Sequence, residues 1–233
     1  MKVVLGLSGG MDSAALAAYY LDTNHKVFPV NFKYGSKHNR YEMEAAEKLV
    51  KHYKLPKLVT FELPFIQQYY RSNLLEGGGD IPEGHYEDKS MSLTVVPARN
   101  LIFISAMMGY AWSIGANMVG YGAHSGDHAI YDDCKPEFYH AMSLAVRTGS
   151  GGRISLDAPF LHQTKETIIR IGNTSRPSVP WALTRTCYKD QPLSCGKCGS
   201  CNERLEAFRL VGIPDPIEYE VEEVKTERRV PKY

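Results

Sequence analysis

The chain opens on a short apolar run, Val3-Val4-Leu5, then a glycine turn, then Ala14-Ala15-Leu16-Ala17-Ala18, which is strong helix-forming sequence. Apolar and β-favouring positions return at Val27, Phe28, Val30 and Phe32, and the turn Lys33-Tyr34-Gly35 closes that run. Over residues 39–53, Met43, Ala46, Leu49, Val50 and Tyr53 recur at helical spacing with charges between them. Residues 58–63 read as a third strand. Strands alternating with helices in this way predict an α/β fold, a doubly wound parallel sheet with its ligand at the C-terminal edge of the strands. Further along, residues 101–114 are apolar on nearly every face and predict a buried helix. Residues 117–122 and 154–160 read as strands. Pro136 starts a helix that runs to Arg147 and ends at Gly149–Gly152. A short helix over 165–171 takes Thr164 as its cap, and another covers 202–210. The Gly-rich, polar stretch 75–92 is a lid, a partner-contact loop or a disordered segment. Residues 214–233 are charged and read as a solvated tail or an edge strand.

The first turn, Leu7-Ser8-Gly9-Gly10-Met11-Asp12-Ser13, carries the clearest chemistry. A strand, a glycine turn and a helix N-terminus form an anion site, because the first helical N–H groups point outward and the helix dipole favours negative charge. Gly9 and Gly10 let a phosphate approach the backbone with no Cβ in the way. Ser8 and Ser13 add hydroxyl donors. No lysine follows the glycines, so this is not a P-loop, and the spacing does not fit a dinucleotide fingerprint. Ser-Gly-Gly-x-Asp-Ser instead resembles the PP-loop of the ATP pyrophosphatase superfamily, which cleaves ATP to AMP and pyrophosphate.

Cysteine usage adds a second site. Four of the five cysteines, Cys187, Cys195, Cys198 and Cys201, fall within fifteen residues of one another, with Gly196 and Gly199 allowing tight turns between them. Four thiolates closing on one ion is the arrangement of structural zinc, and it leaves no open coordination position for catalysis. An iron–sulfur cluster is the competing ligand. Cys134 stands apart and is a candidate nucleophile or a small buried hydrophobe. The 233 residues suit one large domain with a small appendage, and the formal charge of +1 argues against a general nucleic-acid binder. With no export signal and no apolar run of membrane-spanning length, a cytoplasmic protein is expected.

The two sites frame further blocks: Phe-Lys-Tyr-Gly-Ser-Lys-His at 32–38, Val-Pro-Ala-Arg-Asn at 96–100, Asp-Asp-Cys-Lys-Pro-Glu-Phe at 132–138, Ala-Pro-Phe at 158–160 and Lys-Glu-Thr-Ile-Ile at 165–169. Together with Thr-Cys-Tyr at 186–188 and the cysteine knuckles, this ordered set resembles the QueC family of 7-cyano-7-deazaguanine synthases over nearly the whole chain. The resemblance implies a PP-loop fold of the adenine nucleotide alpha hydrolase kind and a carbon–nitrogen ligase. Such an enzyme converts 7-carboxy-7-deazaguanine and ammonia to the nitrile, through adenylate and amide intermediates, with ATP and Mg²⁺. It further implies that Leu7, Ser8, Gly9, Gly10, Met11, Asp12 and Ser13, with the first turns at Ala14, Ala15, Leu16 and Ala17, bind ATP. Asp12 is placed to hold Mg²⁺ or to cap the helix. Arg99 is a candidate phosphate clamp, and Lys165 a second catalytic cation or a solvated lysine. Asp133 and Glu137 are candidates to accept hydrogen bonds from the guanine-like edge, or are surface charge.

Lys33, Ser36, Lys37, Ala98 and Asp132 depart from the usual family pattern, and lysine lacks arginine's bidentate fork. A family variant that stops at the amide, or a tRNA-modifying PP-loop enzyme, are the alternatives. The expected organisation is a nucleotide-binding domain at 1–180, a zinc-knuckle segment at 181–212 and a tail at 213–233. The expected partners are the small-molecule substrates and a second copy of the chain in a homodimer, with no stable nucleic-acid partner and no membrane.

Overall fold

The computed structural model describes residues 1–86 and 88–221. Five strands form one parallel sheet: β1 (Lys2–Gly6), β2 (Lys26–Lys33), β3 (Val59–Glu62), β4 (Met118–Gly120) and β5 (Ser155–Asp157), in the order β3-β2-β1-β4-β5. The helices are α1 (Met11–Asp22), α2 (Asn39–His52), α3 (Pro64–Tyr69), α4 (Arg99–Ser113), α5 (Pro136–Gly149), α6 (Lys165–Thr174) and α7 (Gly199–Val211). The doubly wound expectation is met because β1 is buried on both faces. Val3 and Leu5 pack with α1, α2, α6 and α7 through Leu16, Leu49, Ile168 and Phe208. Val4 packs with α4 and α5 through Ile104, Met107 and Val146.

Pro29 sits inside β2, where a missing N–H would normally break a ladder. Val30 faces β1, since its carbonyl accepts from Leu7 N at 2.7 Å. Pro29 therefore points the other way, and pairing with β3 begins only at Val30, so no ladder bond is lost. The strand order reverses between β1 and β4. Their C-terminal ends carry the turn at 7–10 and the segment Tyr121-Gly122, and the crevice between them is the usual ligand position of an open α/β sheet.

Three expectations need correction. The helix at 101–114 is not buried all round: Leu101 and Trp112 are 45% and 46% exposed, and the Arg153 guanidinium lies 4.8 Å from the Trp112 ring. The face that meets the sheet carries Phe103, Ile104, Met107, Tyr110 and Ala111, with Phe103 stacked on Phe32 of β2 and Tyr110 edge-on to Phe61 of β3. Thr164 precedes α6 but gives it no side-chain cap, because its hydroxyl pairs with that of Thr167 at 3.0 Å. Residues 213–221 are no solvated tail. Asp215, 4% exposed at its side chain, takes two bonds from the Arg204 guanidinium at 2.7 and 2.8 Å, and Tyr219 bridges to Ser194. The rest of that segment, 222–233, lies outside the described residues.

Candidate active site

The turn after β1 is built to hold an anion. Gly9 has φ +95°, and a Cβ there would strike the Glu42 carbonyl and lie 2.9 Å from Ala45 Cβ, so only glycine lets α2 approach the turn this closely. Gly10 N donates to Ser8 Oγ at 3.2 Å, and Ser13 Oγ donates back to Gly10 O at 3.0 Å. Asn31 Nδ2 fixes the Leu7 carbonyl at 3.0 Å, and Arg185 N fixes that of Gly9 at 2.8 Å. The first helical bond of α1 runs from Ala14 N to Gly10 O. The amides of Met11, Asp12 and Ser13 are therefore the orphan donors that any helix start leaves over, and no side chain caps them.

A cavity opens over these amides. Its lining includes Ser8, Gly10, Met11, Asp12 and Ser13 from the turn, Arg99 and Lys165 from later in the chain, and Gly6 and Gly120–Ala123 at the strand ends. Of the remaining ATP-loop candidates, Leu7, Ala14, Ala15, Leu16 and Ala17 are buried core, and Gly9 is buried beneath the turn.

Lys165 starts α6 and is 7% exposed. Its Nζ lies 3.0 Å from Asp12 Oδ2 and 2.9 Å from Glu203 Oε2. Burial by itself would lower the lysine pKa, but the two carboxylates outweigh it and the ammonium is held above the ordinary lysine range. Burial likewise pushes Asp12 up, while Lys165 and His124 pull harder and leave it below the ordinary carboxylate value. Gly126 N donates to His124 Nδ1 at 3.1 Å, so Nδ1 is the accepting nitrogen and Nε2 carries a hydrogen. That nitrogen faces Asp127 Oδ2 at 3.5 Å, Asp12 Oδ1 at 3.8 Å and Glu203 Oε1 at 3.9 Å. Among the described residues Asp12 Oδ1 has no hydrogen-bond partner. It is a buried carboxylate oxygen that a bound cation would complete, so the donor set fits a hard metal ion beside the phosphate turn.

Arg99 approaches from the other side. Ala98 precedes α4 in the left-handed region, with φ +52°, and turns Arg99 into the cavity, where its guanidinium donates to Tyr34 Oη at 3.3 Å. Glu42 and His38 line the same end. Burial lifts Glu42 to about 8 against the pull of Arg99 and Arg185, and burial with the same two arginines depresses His38 to about 3. Their 3.5 Å contact therefore joins a neutral acid to a neutral imidazole and is no ion pair at neutral pH.

The remaining sequence candidates divide: Asp133 and Glu137 are not in the cavity wall, and Cys134 is. Asp133 accepts from Asn100 N at 2.9 Å and from Asn100 Nδ2 at 3.0 Å, and so ties down the first turn of α4. Glu137 is exposed on α5. Cys134 does line the cavity, with Asn100 Nδ2 and Tyr121 Oη each 3.4 Å from its sulfur. Burial and then Asp127 push its pKa up, so it is a packed thiol and not a nucleophilic thiolate.

From the Gly-rich stretch, Tyr86 lines the cavity. Tyr86 reaches down to Asp127 Oδ1 at 2.9 Å, and Glu83 and Gly84 pair with Cys198, Lys197 and Lys189. Glu42, His124, Asp127, Arg185 and Glu203 are site residues that reasoning from sequence passed over. The one local hint was their place beside recognised motifs, with Arg185 and Glu203 each two residues from a cluster cysteine.

Cys187, Cys195, Cys198 and Cys201 are fully buried, and their sulfurs all lie within 4.8 Å of one another. The Cys195–Cys201 separation is 3.9 Å, far from a disulfide. A tetrahedron with metal–sulfur arms of about 2.3 Å has edges of about 3.8 Å, so these four thiols can hold one metal ion. Arg185 binds the segment to the phosphate turn: its backbone holds Gly9, and its guanidinium donates to the carbonyls of Lys189, Gln191 and Pro192 at 2.7–3.0 Å.

Among the described residues no helix is long and apolar enough to cross a membrane. A family model described as queuosine biosynthesis protein QueC matches residues 2–212. A 7-cyano-7-deazaguanine synthase of Caldicellulosiruptor saccharolyticus is 41% identical over 222 residues, covering 95% of this chain and 97% of that one. One from Methanoregula boonei is 43% identical over 220 residues, covering 94% and 100%. Among solved structures, a U34-tRNA thiolase NcsA from Methanococcus maripaludis with its [4Fe-4S] cluster matches 98% of this chain and 78% of its own, at 15% identity and a TM-score of 0.47, a likeness too remote to bear on function. The phosphate turn, the cation beside it, the four-thiol site and these matches along nearly the whole chain have one reading: the chain belongs to the QueC family of 7-cyano-7-deazaguanine synthases.

Proposed function

We propose that this chain is an ATP-dependent ligase that converts 7-carboxy-7-deazaguanine and ammonia to 7-cyano-7-deazaguanine. A carboxylate is a poor electrophile because its leaving group would be oxide. Attack of a carboxylate oxygen on the α-phosphorus of ATP releases pyrophosphate and leaves an adenylate. Ammonia then displaces AMP, loses a proton and gives the amide. The amide oxygen attacks the α-phosphorus of a second ATP and releases pyrophosphate, and the nitrogen then gives up both its protons as AMP departs with the former amide oxygen, leaving the nitrile. Both cleavages build negative charge on the leaving pyrophosphate. The open amides of Met11, Asp12 and Ser13 and the Ser8 and Ser13 hydroxyls hold that charge, with Lys165 and Arg99 as the cations. Asp12 is the residue to hold Mg²⁺, which neutralises phosphate oxygens when bound.

The observation that carries the reading is the meeting of Lys165 with Asp12 at 3.0 Å across 153 residues of chain, beside an uncapped helix start. Zinc is the metal this reading gives to the four-thiol site, since the spacing of the thiols suits a single ion better than a multi-iron core. On this reading residues 1–180 are the nucleotide-binding domain and 181–212 the metal segment docked on it.

The working enzyme is a cytoplasmic homodimer with small-molecule substrates and no standing nucleic-acid partner. Leu101, Trp112 and Leu144, all exposed, are the apolar side chains a second copy would cover. Sedimentation as a monomer would remove that part of the reading. The main test incubates the protein with 7-carboxy-7-deazaguanine, ammonium and Mg·ATP and resolves products by mass spectrometry. Nitrile with two AMP per turnover is expected. Amide alone would overturn the nitrile product, and AMP without change in the deazaguanine would overturn the substrate.

A further inference from the structure

Helix α7 leaves the cysteine cluster and runs straight to the phosphate site. Cys198 precedes the helix and Cys201 lies in its first turn. Residues two apart on a helix face opposite ways, so the turn that aims Cys201 at the cluster aims Glu203 away from it, toward α6. The Glu203 side chain is 13% exposed, and its Oε2 lies 2.9 Å from Lys165 Nζ. Lysine carries its charge on a flexible four-carbon stem and needs partners to aim it. Lys165 has two, and one of them, Asp12, belongs to the phosphate turn itself. Once Asp12 is engaged with a nucleotide and its cation, Glu203 is the carboxylate that still holds the ammonium in place. His124, 3.9 Å from Glu203 Oε1, backs the same carboxylate from the loop after β4.

We infer that Glu203 is a positioning residue for ATP cleavage, holding the Lys165 ammonium against the phosphate turn and thereby coupling the four-thiol segment to the chemistry. This rests on Lys165 acting on the phosphates, as proposed above. The metal segment then does more than close the fold, because a shift of its helix moves the counter-ion of a catalytic cation.

The test compares Glu203→Gln, Glu203→Asp, Lys165→Met and the double variant Lys165→Met/Glu203→Gln with the parent enzyme in its metal-loaded form. Metal content per chain and the kcat and ATP KM of substrate-dependent AMP release are the readouts. The Gln variant should keep its metal and lose about ten- to a hundredfold in kcat, with ATP KM changed less than about threefold. The Asp variant should recover part of that loss. In the Lys165→Met background the Gln substitution should change kcat by less than about twofold, since residues acting as a unit are not additive. Parent-like kcat in Glu203→Gln overturns the inference. So does loss of metal from that variant, or an equal fold-loss in both backgrounds. Parent-like kcat in Lys165→Met overturns instead the role given to the lysine, and the inference with it.

Discussion

Two turns in this molecule, the phosphate turn and the cysteine knuckles, each lead into a helix, and they handle their backbone donors in opposite ways. Neither α1 nor α7 has a side chain capping its first amides. In the cysteine segment the chain supplies its own acceptors: Cys187 Sγ takes the amides of Lys189 and Cys195 at 3.4 and 3.3 Å, and Cys195 Sγ those of Lys197 and Cys198 at 3.4 and 3.3 Å. At the phosphate turn Ser8 Oγ takes only the amide of Gly10, and among the described residues no side chain from elsewhere takes those of Met11, Asp12 and Ser13, which face a cavity. The first arrangement is closed and has work to do in stability. The second is open and has work to do on a ligand. Arg185, through its backbone N and its guanidinium, and Glu203, through its carboxylate, tie the closed region to the open one.

Breaking the closed side should have the largest effect. Structural zinc in small sites is worth on the order of 10 kcal/mol. Cys201→Ser, or chelation of the parent, should lower the melting temperature by more than about 10 °C and expose the amides of α7 to hydrogen exchange. Calorimetry with metal analysis checks this, and an unchanged melting temperature would show that the cluster holds nothing of weight.

On the open side, Lys165→Met should cut AMP release by about 10²- to 10³-fold, the usual cost of removing one fixed charge-stabilising group. The same change leaves Asp12 and Glu203 without their cation and should cost about 3 kcal/mol of stability in denaturant titration. Gly9→Ala alters no charge at all. It forces a Cβ into α2 at a positive φ, so stability should fall by about 2 kcal/mol or more and ATP affinity should fall with it, as read by calorimetric titration.

Smaller effects belong to the border between the regions. Folding raises Glu42 from the ordinary carboxylate value to about 8. Between those two values the folded chain holds a proton that the unfolded chain has released, so this group's contribution is complete below about pH 4.5 and is lost as pH rises through about 8. Glu42→Gln should therefore gain stability relative to the parent across that window, by an amount that grows as pH rises toward 8. A stability difference that stays flat with pH would place Glu42 in water. Last, Ala98→Gly should relieve the left-handed residue before α4, with a gain of up to about 1 kcal/mol and no loss of AMP release. Reduced release would mean that the strained turn is needed to aim Arg99.

Much of the fold could be read directly. The apolar run of β1 and the helical spacing in α2 are short-range signals, and the parallel sheet followed from their alternation. The buried status expected for α4 did not follow, because a wholly apolar helix does not say which side meets the sheet. The site was legible to the same degree. Ser8–Ser13 and the four cysteines announced themselves by spacing, and Lys165 and Arg99 by motif. Asp133 looked like a substrate reader, yet its carboxylate secures Asn100, 33 residues away, and nothing local could reveal that partner.

Local sequence was enough for whatever depends on a dozen neighbours: a turn that admits an anion, a helix start with free donors, thiols close enough to share an ion. These rest on glycine conformation, helix geometry and ligand spacing, which neighbouring residues set among themselves. The electrostatics belong to the tertiary structure. Lys165 becomes a buried, permanently charged cation only where Asp12 and Glu203 converge on it from α1 and α7, and Glu42 becomes a neutral acid only where packing removes its water. Charge in a folded protein is decided by burial and by partners brought from far along the chain, and no stretch of sequence carries either.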